Sequence, residues 1–274
     1  MSAGSGAAAG LKSWLKHTRI VRRLRRRRFH AYSLGAPRTG TTSIAAMPER
    51  RYRAAHEQLH LGTMEHLGRL YDGAITREEL DDYLRWRDVE LFLEMESSHP
   101  LAPFAPYLTR LFPDARFVLG VREPHAWLRS IVLHPARFFH AHPDPAMRAG
   151  AKAYHPGEEA LRDESGCTLD ELLGGYAAHT RMVLDAVPDD RLLIVRTETL
   201  SASIPAIASF LGIPAAHFTP ERSHENRAAG AAHIVDRVDP ALVRTRVEEH
   251  WAPVAAELAR RGLPDSAPHS AAAP

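Results

Sequence analysis

The stretch Phe29–Ser43, FHAYSLGAPRTGTTS, decides how the chain folds. Its first six residues mix aromatic and apolar side chains without strict alternation, the pattern of a short strand buried on both faces. Gly35 and Gly40 then bracket four residues. Glycines at that separation let the backbone curl until successive N–H groups converge, and Thr41, Thr42 and Ser43 add hydroxyls where a helix begins. Such a loop cradles an anion. Pro37 stiffens its entry, and Arg38 is the only cation inside it.

The same spacing is that of a Walker loop, in which a Lys after the second Gly reaches the β- and γ-phosphates. Here that position is Thr41. No clear Asp-ended strand follows to hold Mg²⁺, so a P-loop kinase or nucleotidase with a degenerate loop is the alternative reading. The order Pro37, Arg38, Thr39, Gly40, Thr41, Thr42 resembles the 5′-phosphosulfate loop of sulfotransferases that use 3′-phosphoadenosine 5′-phosphosulfate (PAPS), those of bacterial and carbohydrate type more than the cytosolic phenol type. The resemblance implies that the loop through Ser43 holds the 5′-phosphosulfate, that Arg38 neutralises charge on the departing phosphate, and that no metal takes part.

A second segment carries the same resemblance. Arg116–Val121, RFVLGV, reads as a buried strand, followed by Arg122, a Glu123-Pro124 turn with Pro at a first helical position, and a helix over His125–His134. Arg122 at the strand's end and Ser130 about two turns into the helix can reach one phosphate from different sides. In the family, an Arg and a Ser at this separation hold the donor's 3′-phosphate. Arg227, in HENRAAG (His224–Gly230), matches loosely a late basic residue near that phosphate.

Tyr52–Leu61, YRAAHEQLHL, reads as a short strand and a polar turn that set His56 beside Glu57. Carbohydrate sulfotransferases and bacterial relatives place a glutamate base at a comparable distance past the loop, which implies that role for Glu57. Val89–Met95, VELFLEM, reads as a strand leading into Glu96, Ser97, Ser98 and His99. Residues at the carboxyl end of a parallel strand project into the ligand crevice. Some members of the family keep their base there, so Glu96 and His99 rival Glu57.

Further along, Thr76–Trp86 and Thr168–Val187 open with capping-box patterns, Thr76/Glu79 and Thr168/Glu171, and read as helices. Leu101–Phe112, Ile204–Leu211 and Pro240–Arg261 read as helices too, and Arg191–Arg196 as a strand followed by an acidic turn in which Glu198 is structural. Pro135–Asp163 reads as a lid or acceptor-binding segment, and its His140-x-His142 fixes no metal ligand set. Alternating strands and helices imply a single α/β domain over 29–262 with a mostly parallel sheet flanked by helices, and the resemblance implies that it is of the P-loop-containing nucleotide-hydrolase-like kind.

The chain has 274 residues, and its 35 Lys and Arg against 33 Asp and Glu leave a net charge of +2, so no global field asks for a nucleic-acid partner. The single cysteine, Cys167, excludes an intrachain disulfide and suits a reducing cytosol. Residues 1–10 are small and flexible in character, and 263–274 read as a disordered tail. Leu11–Arg28 sets Leu11, Trp14, Leu15, Val21 and Leu24 near helical spacing among nine Lys and Arg. That segment lies on an anionic membrane, binds RNA, or packs on the domain as a solvated helix. No secretory or membrane-spanning apolar run is present, which places the chain in the cytoplasm with a peripheral membrane contact as one option. The acceptor class, among sugars, glycolipids, phenols and other small molecules, and the oligomeric state are not written in the sequence.

Overall fold

Five parallel strands form one sheet in the order β2-β3-β1-β4-β5, with β1 (Ala31–Ser33) at its centre. The structure, a computed structural model, describes residues 26–137, 154–224 and 232–263. β1 pairs with β3 (Met95–Ser97) on one side and β4 (Arg116–Val121) on the other, so Ser33 lies between Ser97 and Val118. β2 (Ala54–His56) and β5 (Leu192–Arg196) close the two edges. Successive strands depart from β1 in opposite directions, which opens a crevice at the carboxyl ends of β1 and its neighbours.

Both faces of the sheet are covered, which is why its strands carry near-continuous apolar runs. Ala31, Val118 and Val195 point to one core with Ile44, Met47, Ile207 and Leu211. That core is roofed by α1 (Thr41–Ala46) and a helix late in the chain, Ile204–Leu211. Tyr32, Phe117, Leu119 and Val121 point to the other, larger core. Over it lie α2 (His60–Tyr71), α3 (Arg77–Leu91), α4 (Ala105–Leu111), α5 (Pro124–Ile131), α6 (Glu159–Glu164) and α7 (Leu169–Ala186). The chain then runs through α8, the Ile204–Leu211 helix, and α9 (Ala232–Val235) to α10 (Pro240–Arg260), whose Val243, Trp251, Val254 and Leu258 join the larger core.

Local chemistry sets several boundaries. At α3 the Thr76 hydroxyl accepts from the Glu79 N–H at 3.2 Å while the Glu79 carboxylate accepts from the Thr76 N–H at 2.9 Å. The same reciprocal pair, Thr168 and Glu171, opens α7. Such caps satisfy N–H groups that have no partner inside a helix. Once begun, α3 runs further than its periodicity suggests. Val89–Leu91, expected in a strand, form its last turn, and Phe92 ends it in the left-handed conformation at φ 46°. The strand starts only at Met95. Val89 is about half exposed, so this short apolar run is the solvent-facing end of a capped helix and not a buried strand.

Candidate active site

The anion loop forms at the carboxyl end of β1 as its residues dictate. Arg38 at φ 68° and Gly40 at φ 84° adopt left-handed conformations that turn neighbouring N–H groups towards one concavity. The Thr39 hydroxyl donates to the Ala36 carbonyl at 2.7 Å and closes the turn. Gly35 has no room for a side chain, since a Cβ there would meet Thr39 Oγ1 at 2.5 Å. Ile44 N–H donates to the Gly40 carbonyl at 2.9 Å, so α1 springs directly from the loop.

The segment that carries Arg122 and Ser130 comes to the same place. Arg38 Nε donates to Ser130 Oγ on α5 at 2.9 Å, and Arg122 Nη1, one residue past β4, donates to the Arg38 carbonyl at 3.3 Å. Burial first, and then the neighbouring Arg122 charge, push the Arg38 guanidinium below its ordinary value. Two cations that converge on one loop suit an anion there.

Across the loop lies a carboxylate–imidazole cluster. The Glu57 N–H donates to the Ser97 carbonyl at 2.9 Å, extending the β2–β3 ladder by one residue and placing Glu57 at the strand end at φ 51°. Its Oε1 is 2.5 Å from His99 Nδ1 and 3.5 Å from His56 Nε2, and its Oε2 is 3.5 Å from His60 Nδ1. A carboxylate accepts, so Nδ1 of His99 carries the proton of that bond. Burial alone would raise the Glu57 carboxyl, but the His99 hydrogen bond and the three imidazoles bring it below its ordinary value. His56 Nε2 also lies 3.2 Å from Thr41 Oγ1. One imidazole therefore touches both the anion loop and the carboxylate.

A family model described as Sulfotransferase domain matches residues 32–228, nearly three quarters of the chain. The chain belongs to the sulfotransferase family. Solved structures similar to it include a sulfotransferase from Alicyclobacillus acidocaldarius (16% identity, TM-score 0.47, covering 87% of this chain and 97% of that one). The sulfotransferase domain of the Synechococcus PCC 7002 olefin synthase gives 16% identity and a TM-score of 0.36, covering 80% and 86%. That of the curacin biosynthetic pathway gives 14% and 0.40, covering 85% and 96%. No curated protein matches the chain.

Within this sulfotransferase, the candidate bases separate. Glu57 and His99 form one hydrogen-bonded pair at the crevice, so they are partners and not rivals. Glu96 does not join them. It sits in mid-β3 with 3% of its surface exposed, and both its carboxylate oxygens accept from the Arg87 guanidinium. Burial pushes its carboxyl up against the opposing pull of Arg87. A carboxylate so enclosed cannot meet an acceptor, which corrects its placement among the catalytic residues. Arg87 itself reaches further, donating from Nη2 to the Gln58 carbonyl at 2.7 Å and from Nε to Thr63 Oγ1 at 3.3 Å. The buried pair thus fastens the turn that carries Glu57.

Several residues that shape the site escape a motif search. Trp127 Nε1 donates to the Pro37 carbonyl at 2.8 Å. The Tyr176 hydroxyl accepts from the Arg122 N–H and donates to the Arg122 carbonyl, both at 2.8 Å. Trp127, Tyr176 and Trp251 stack in series, with ring centroids 4.2 and 4.5 Å apart, tying α5, α7 and α10 together behind the loop. Gly120 on β4 leaves space for the loop, because a Cβ there would meet the Thr39 carbonyl at 2.4 Å. Burial, and then the charges of Arg38 and His99, push the imidazole of His134, just past α5, below its ordinary value. Arg227 and the pair His140 and His142 lie outside the described residues. Among the described residues no group of three His, Cys, Asp or Glu side chains is arranged to hold a metal ion.

Proposed function

We propose that the chain transfers a sulfuryl group from PAPS to a hydroxyl, or an amine, of a carbohydrate or other small-molecule acceptor. The observation that carries this is the single imidazole of His56, which bridges the anion loop at Thr41 and the carboxylate of Glu57. It fixes a proton acceptor one side chain away from where a phosphosulfate would lie. The donor supplies an activated sulfuryl group: the acceptor oxygen or nitrogen bonds to sulfur and gives up its proton, the bond from sulfur to the bridging oxygen breaks, and adenosine 3′,5′-bisphosphate departs with that oxygen.

The residues of the chain divide that work. N–H groups of Arg38–Thr42 hold the 5′ end, and the Arg38 guanidinium balances charge gathering on the phosphate as the bond breaks. Arg122 and Ser130 hold the 3′-phosphate. Glu57 takes the acceptor's proton. A carboxylate below its ordinary pKa is a weak base, so its contribution lies in having the right ionisation and position when the transition state lowers the acceptor's own pKa. His99 orients it through Nδ1–H.

Calorimetric titration with adenosine 3′,5′-bisphosphate, compared with ADP plus Mg²⁺, tests the donor. The first binds and the second does not; preference for ADP would favour the kinase reading. Transfer of label from radiolabelled PAPS into fractionated extract, with Glu57→Gln as control, tests the reaction and finds the acceptor.

A further inference from the structure

We propose that the amino-terminal edge of the sheet, opposite the crevice, docks on an anionic lipid surface through a cleft lined by five arginines. Arg28, Arg53 and Glu94 stand just before β1, β2 and β3, and with Arg26, Arg50 and Arg51 they line one open cleft of about 510 Å³. Its two carboxylates are already engaged. Glu94 is buried, accepts from the N–H groups of Arg28 and Arg53 at 3.0 Å each, and pairs with the Arg53 guanidinium at 3.4 Å. Glu49 pairs with Arg222 at 2.9 Å. Arg26, Arg28, Arg50 and Arg51 are exposed, and among the described residues no carboxylate forms an ion pair with any of them.

The arginines are presented by a fixed frame. Arg27, between two of them, is clasped by Asp88 at 2.8 Å, and Arg28 lies over the Tyr52 ring at 5.6 Å. Two features favour lipid over nucleic acid. Single-stranded nucleic acid is gripped by stacking bases on exposed aromatic rings. Among the described residues the one aromatic lining this cleft, Tyr52, is only 5% exposed, edge-on to Phe29 and bonded through its hydroxyl to His217 at 2.6 Å. Then, the chain that precedes the cleft carries Leu11, Trp14 and Leu15 among its cations and no acidic residue between Leu11 and Arg28. Apolar and cationic groups together match the boundary between headgroups and acyl chains. Docked this way, the carboxyl ends of the strands point away from the lipid, and Arg38 and Glu57 stay open to water.

Co-sedimentation of the full chain with phosphatidylcholine vesicles containing about 30% phosphatidylserine, against vesicles of phosphatidylcholine alone, tests the proposal. Binding to the charged vesicles only, lost in about 1 M salt, is expected. Arg50→Gln with Arg51→Gln, leaving residues 1–28 intact, lowers the partition by about 25-fold, near five-fold for each charge. Arg26→Gln with Arg28→Gln lowers it to a similar degree. Both variants keep native circular dichroism and undiminished binding of adenosine 3′,5′-bisphosphate, so a failure here is distinct from a failure of the donor assignment. Wild-type partition in the Arg50/Arg51 variant, equal binding to uncharged vesicles, or displacement from vesicles by millimolar inorganic phosphate would each overturn it. So would tighter retention by a mixed-sequence RNA that the same substitutions abolish.

Discussion

Arg38 Nε and Ser130 Oγ meet at 2.9 Å although 92 residues separate them in the chain. On the proposed assignment the donor's two ends are coupled before it arrives, because the residue assigned to the 5′ group is bonded to one assigned to the 3′-phosphate. Ser130→Ala removes this bond without disturbing the fold. Calorimetry should show adenosine 3′,5′-bisphosphate binding weakened about ten-fold, the size of one lost charge-assisted hydrogen bond. Affinity for adenosine 5′-monophosphate should fall less.

Glu57 and His99 should separate kinetically. Glu57→Gln abolishes proton acceptance and lowers kcat by about 10²–10⁴. His99→Gln acts through Glu57. With its strongest hydrogen bond removed and burial remaining, the Glu57 carboxyl rises, so the acid limb of the pH–rate profile moves to higher pH. A pH–rate series on both variants distinguishes them, since a merely structural His99 would lower the rate without moving the limb.

Arg87 and Glu96 should behave as a buried clamp. Glu96→Gln keeps the wild-type pH–rate profile, contrary to the behaviour of a base. Arg87→Met strands a buried carboxylate and is expected to cost about 3–5 kcal/mol in chemical denaturation. It also releases the Gln58 carbonyl and hence Glu57, so kcat falls with it.

His179 predicts a pH dependence of stability. It is fully enclosed, lies 2.8 Å from the Leu34 carbonyl through Nε2, and burial lowers its pKa to about 4. Its folded value lies below its unfolded one, near 6.5, so its contribution is whole above pH 6.5 and is lost as pH falls towards 4. One proton sets a limit of about 1.4 kcal/mol per pH unit on that slope. Denaturation at several pH values should show this component in the wild type and not in His179→Gln.

Much of this arrangement is legible in the residues themselves. The anion loop announces itself by two glycines and a run of hydroxyls, β4 by its apolar run, and α3 and α7 by capping pairs that are local signals. Less is legible where partners are distant. α2 begins at Leu59, a left-handed residue with no capping side chain, so nothing nearby marks its start. The end of α3 is obscured because Val89, Leu91, Phe92 and Leu93 form an apolar cluster just where a helix already under way is ending. Glu96 is a rival to Glu57 in the sequence because VELFLEM sets its strand too early, and its burial and its pairing with Arg87, from another element, show that it is enclosed. Trp127 and Tyr176 act on the site through backbone atoms of Pro37 and Arg122, a role that no spacing rule contains.

Gly120 lies beneath the loop, which takes its form by settling into the notch where β4 carries no side chain. Tolerance to mutation should therefore follow the mould and not the cast. A single methyl added beneath Thr39 would spoil the loop as surely as the loss of a residue that lines it.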